Sequence, residues 1–132
     1  MAGYGLTQNY TDVEELLVAY LSAKFPSYRI CTELPAQITQ TTVQVVRIGG
    51  FDSAAIDTAT VSVDIYAADR GTANDASGIV RAALNNGALA GYTNGSATVA
   101  TISTIGGPGW RPYDDTDVRR IGATYAISVH NH

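Results

Sequence analysis

Apolar positions recur along this chain in two rhythms. From Val13 they fall at Leu16, Leu17, Tyr20 and Leu21, the spacing of one helix face. Thr11 and Glu14 form a capping box ahead of the run and Pro26 stops it, which predicts a helix over about 12–24. Tyr28 to Leu34 then reads as a strand, with β-branched Ile30 and Thr32 and a closing Pro35. Thr41 to Ile48 is a second strand, apolar at Val43, Val45, Val46 and Ile48, so both of its faces are partly covered and Gly49-Gly50 ends it. Alternation is cleanest over Thr58 to Ala67: Val61, Val63 and Ile65 lie opposite Thr60, Ser62, Asp64 and Tyr66, as in a central strand. Asp69 can cap a second helix over about 70–85, with a stripe of Ala76, Val80, Ala83 and Leu84. Residues 85–96, NNGALAGYTNGS, are turn-forming and expected to be mobile. Two more strands, Thr98 to Ile105 and Val118 to Val129, close the chain; in the second, Ile121, Ala123, Tyr125, Ile127 and Val129 share a face.

The resulting order, α-β-β-β-α-β-β, predicts an α+β domain: a mostly antiparallel β-sheet with two α-helices packed on one face. The other face, rich in Thr and Ser, is left to solvent or to a neighbour. The 132 residues suit one domain, with 1–11 as an N-terminal extension and 130–132 as a frayed end.

Charge changes this picture in one respect. Only 15% of residues are charged, and Lys24 is the lone lysine. So neutral a surface reflects either compositional drift or coverage by other subunits. The net charge of −4 lacks the clustered basic footprint that free-standing nucleic-acid binding requires. Cys31 alone cannot form an intramolecular disulfide. The first residues show no signal-peptide pattern, and no run approaches the ~20 apolar residues of a membrane span.

Candidate chemistry is sparse. His130 and His132, at the end of the chain, cannot supply a fixed metal site, and the expected metal, cofactor and catalytic complement is none. Asp114, Asp115 and Asp117 miss the calcium-loop spacing and read as a solvated acidic turn; the Gly-rich GGPG and GGFD lack the lysine of a phosphate loop. Cys31 reads as a small core residue. Asp64 is the odd carboxylate of the central strand: the preferred placement is in solvent, the alternative a pair with an arginine across an interface.

The segments TELP (32–35), VQVVRIGG (43–50), VSVDIYAADRGTANDASGIVRAAL (61–84) and GPGWRPYDDTDVRRIGATYAISV (107–129) together resemble the tail terminator, or tail completion, proteins of long-tailed bacteriophages, over residues 12 to 129 or so. That resemblance implies a structural virion protein of the tail and neck region, assembled in the host cytoplasm and not an enzyme. It implies a homo-oligomer, a hexameric ring, that caps the tail tube, ends its polymerisation and meets the head-completion protein of the connector, while DNA passes through the lumen without specific binding. A head-completion or neck protein is the alternative, and a small ligand-binding domain or enzyme with a site near Trp110 a more distant one.

The decapeptide GGPGWRPYDD (106–115) holds the only tryptophan and two of the four prolines. Its glycines and prolines predict a rigid, non-pairing excursion between the last two strands. Trp110, Arg111, Tyr113, Asp114 and Arg119 are accordingly the candidate subunit-interface residues, since Trp, Tyr and Arg are enriched at interface hot spots. Trp110 could equally fold back on its own core.

Overall fold

The computed structural model describes residues 11–53, 56–86 and 89–131, which form two helices and six strands. Helix α1 (Val13–Lys24) is capped by Asp12, one residue later than the capping box predicts. A carboxylate is a strong acceptor at the positive end of a helix, and that of Asp12 accepts from the N–H groups of Glu14 and Glu15. Glu14 turns towards the sheet instead, where its Oε2 accepts from the Arg47 N–H at 2.8 Å.

Strand β1 (Arg29–Cys31) is shorter than predicted and runs parallel to β2 (Thr42–Ser53), which pairs antiparallel with β3 (Ile56–Ala67). Gly49-Gly50 does not end β2. A bulge falls between Arg47 and Gly49, and Gly50, at φ +130°, lets the strand bend across β3; a Cβ there would overlap the Thr58 carbonyl oxygen.

Helix α2 (Arg70–Asn85) is capped as predicted, with Asp69 Oδ1 accepting from the Thr72 N–H at 2.8 Å. Beyond it the turn-forming stretch contributes to packing: Leu89 is fully buried, Tyr92 sits edge-on against Tyr20, and β4 (Thr93–Asn94) pairs with the start of β5 (Ala97–Arg111).

Strand β5 corrects the main sequence expectation. Gly106 to Arg111 is not a non-pairing excursion: Gly106, Gly109, Trp110 and Arg111 pair with Thr124, Gly122, Ile121 and Arg120 of β6 (Arg119–Asn131). The register skips between Gly106 and Gly109, so Gly107 and Pro108 are absorbed as a bulge on an edge strand, where a proline's missing N–H costs no ladder bond. Only residues 112–118 form the connecting loop. Nor do residues 130 and 131 fray: His130 pairs with Ile56 and Thr98, and Asn131 is buried with its Oδ1 accepting from the Thr11 N–H at 2.9 Å. Residue 132 and residues 1–10 of the expected extension lie outside the described residues.

The sheet order is β1-β2-β3-β6-β5-β4, antiparallel except for β1. Both helices pack on one face. Leu16, Leu17, Leu21, Val80 and Leu84 meet Val43, Val45, Val61, Val63, Ile121, Tyr125 and Ile127 in a single core, the α+β layering the alternation of β3 and β6 predicts. The opposite face carries Thr60, Thr124, Ala126 and a Thr58–Ser128 hydroxyl pair at 3.1 Å.

Candidate assembly site

Burial of a charge in the middle of a sheet requires a partner. Asp64, on the open face of β3, is 3% exposed, so it does not point to solvent. The cross-strand register puts Gly122 of β6 beside it and Arg120 one pair further along; Arg111 of β5 lies opposite Arg120. Arg111 Nη1 donates to Asp64 Oδ1 at 2.8 Å and to Ser62 Oγ at 2.9 Å, and Arg120 Nη2 donates to Asp64 Oδ2 at 3.2 Å. The partners are thus arginines of the same chain. The approach is possible because residue 122 is glycine: a Cβ there would overlap Asp64 Oδ1 and lie 2.6 Å from Arg111 Nη1.

Around this ion triad the side chains close over the strand. Arg120 lies over the Tyr66 ring, 5.6 Å from its centroid, and Tyr113 packs edge-on to Tyr66 at 5.1 Å. The Tyr66 hydroxyl donates to Gln44 Oε1 at 2.9 Å. Burial, outweighing the opposing pull of Arg120, pushes the Tyr66 pKa up to about 12. Burial works to lower the Arg120 pKa, but the hydrogen bond and charge of Asp64 more than offset it and leave it raised.

Of the five residues singled out in sequence, Arg111 and Tyr113 join this cluster. Trp110, one position earlier on β5, projects to the helix side, where the Arg70 guanidinium stacks on its ring at 4.0 Å. Trp110 is 40% exposed, so it does not fold back into the core. Asp114 is exposed in the 112–118 loop, and Arg119, also exposed, donates to the Thr116 carbonyl. The acidic turn is local: Asp115 Oδ1 accepts from the Asp117 N–H at 2.9 Å. Asp64, Ser62, Tyr66 and Arg120 are the members the sequence reading left out of the site. The signal for the first three was their shared face on β3, together with the rule that a central-strand carboxylate needs a counter-charge.

A second ion pair braces the opposite end of the sheet. Arg47 donates from Nη1 and Nη2 to the two oxygens of buried Asp57, both at 2.8 Å, and this hydrogen bonding raises the Arg47 pKa. Cys31 is half-buried beside α1, and its burial raises the thiol pKa, which keeps it protonated at neutral pH. Among the described residues, no three His, Cys, Asp or Glu side chains gather as a metal site would need.

The ion pairs thus clamp the domain's own strands, while Ile48, Phe51, Ile79, Ile105 and Trp110 stay exposed on its surface. The chain belongs to the phage tail termination proteins, whose family model matches residues 9–132. It is a structural protein of the phage tail and a virion component. No curated protein matches it significantly. Among solved structures, a chain of the virion of a native gene transfer agent particle has the same fold: TM-score 0.60, 18% identity, 86% of each chain covered.

Proposed function

We propose that this protein closes the tail by self-assembly: copies form a ring, a hexamer, on the last ring of tail-tube protein, halt tube growth and present their other side to the head-completion protein of the connector. The match of the family model to residues 9–132 carries this reading. The protein acts by assembly and not by catalysis. In this reading Trp110, Arg111, Tyr113, Asp114 and Arg119, grouped at one end of the sheet and its 112–118 loop, form part of a subunit contact. DNA passes through the lumen without specific binding, which suits a hydroxyl-rich open face and a net charge of −4. Assembly takes place in the host cytoplasm, and the mature location is the neck end of the tail.

Electron microscopy of particles made without the protein tests the assignment. Overlong or detached tails beside filled heads are expected. Heads that leak DNA through a normally finished neck would instead assign it to the head-completion side.

A further inference from the structure

Among the described residues two edges of the sheet carry no neighbouring strand, and they do so at the same height. On one side β1 covers β2 only over Thr42–Gln44, and Glu14 takes the Arg47 N–H. Among the described residues no strand lies beside β2 from Ile48 to Ser53. On the other side β4 covers Ala97 and Thr98, and Gly91 and Tyr92 bond Val99. No described strand lies beside β5 from Ala100 onward, and Pro108 blunts that edge further along, leaving Ala100–Ile105 open.

An unpaired edge templates pairing with another chain, and natural sheets usually blunt it with charge. Here 100–110 contains no charged residue, and 48–53 contains only Asp52. The edges instead display large apolar side chains: Ile48 is 59% exposed, Phe51 69% and Ile105 59%. The register sets their heights. Gly49, Thr60, Ala126 and Ser103 form one row across the four long strands, and Phe51, Thr58, Ser128 and Thr101 another. Ile48 is the extra residue in the bulge beside the first row, and Ile105 the extra residue of the bulge between Thr104 and Gly106. The two bulged isoleucines therefore stand on opposite edges within about one residue of the same height, using a strand rise of about 3.4 Å.

Direction agrees as well. β2 and β6 run one way and β3 and β5 the other. A copy rotated about an axis along the strands keeps both its strand direction and the side on which its helices lie. The β5 edge of one copy then meets the β2 edge of the next antiparallel, the direction two such edges can extend without a crossover. Because the two edges differ, the contact is head-to-tail and repeats until a ring closes.

We infer that Thr101–Thr104 of one copy pairs antiparallel with Ile48–Phe51 of the next, Ser103 against Gly49 and Thr101 against Phe51, which keeps like faces together and leaves Ile48 and Ile105 about one residue apart across the seam, so that one continuous sheet runs round the assembly. This rests on the ring reading above and names its contact. It puts all the helices on one side of that sheet and every Thr/Ser face on the other, towards the lumen.

Cysteine cross-linking tests the pairing, in a Cys31→Ser background and on protein assembled with tail tubes. Antiparallel neighbours lie about 4.5–5.5 Å apart, within disulfide reach. Phe51→Cys combined with Thr101→Cys, or Gly49→Cys combined with Ser103→Cys, should give, on mild oxidation, a ladder of linked multimers. Each single-cysteine variant should give none. Ile48→Lys and Ile105→Lys should each abolish rings while leaving the monomer melt within about 2 °C of wild type, as expected for exposed positions. Rings that persist in both lysine variants without a ladder overturn the edge pairing and leave the ring reading standing. Dimers from single-cysteine variants overturn it in favour of like-with-like pairing. A chain that stays monomeric on tail tubes overturns the ring reading and the pairing with it.

Discussion

Truncating Asp64 to Ala removes the one carboxylate that holds Arg111 and Arg120 against the open face. Breaking a buried ion pair by deleting one partner costs about 3–5 kcal/mol, because the surviving charge is stranded. Water reaches these arginines, whose side chains are 32% and 29% exposed against 4% for Asp64. Partial rehydration of the guanidinium groups reduces the expected cost to about 2–3 kcal/mol. At about 2.1 cal/mol/K of unfolding entropy per residue, 132 residues lose about 0.28 kcal/mol per degree, so Tm should fall by about 7–11 °C. Scanning calorimetry of the monomer measures this. Replacing the whole triad with apolar groups, Asp64→Leu with Arg111→Met and Arg120→Met, strands no charge and should recover most of the loss. Asp64→Ala melting within about 2 °C of wild type would refute the reasoning, as would a triple variant that melts no higher than the single one.

Three further expectations follow from the same geometry. Gly122→Ala should cost about 1–3 kcal/mol in urea unfolding, since the methyl group overlaps Asp64 and Arg111, whereas Gly78→Ala, with nothing within 4 Å, should not destabilise. Tyr66 is neutral when protonated and its folded pKa of about 12 exceeds the ordinary 10.0, so its contribution is complete below pH 10 and is lost as pH rises towards 12; melting curves should show that decline, and Tyr66→Phe should flatten it. Trp110→Ala should impair ring formation more than monomer folding, read by light scattering beside thermal melts; a monomer that unfolds, with assembly tracking only that loss, would make the side chain a support for α2 through Arg70.

The parts legible in sequence are those decided by neighbours a few residues apart. Alternation over Val61–Ile65 and Ile121–Val129 names the core face because a strand's side chains alternate by construction, and Asp69 announces its cap three residues before the Thr72 N–H it binds. Gly49-Gly50 has the local pattern of a strand end and Gly106–Asp115 that of a non-pairing excursion, yet the strands run on through bulges at both, for a physical reason. Turn-forming residues also suit bulges, and whether a bulge or an end results depends on a partner strand that local pattern does not contain. Asp64 shows the same limit: its arginines lie 47 and 56 residues away. A buried carboxylate signals that it needs a counter-charge, but the register of β5 on β6 determines which arginine supplies it.

The bond between the Thr11 N–H and Asn131 joins residues 120 apart at one end of the sheet, beside the Ser53–Ile56 pair and opposite the 112–118 loop. A density tag spliced in just before Thr11 would therefore leave from the same pole as one attached just after Asn131, and a tag in the 112–118 loop from the other. Two differently placed labels, seen in the same tail, would show which pole of the subunit faces the tube and which faces the head.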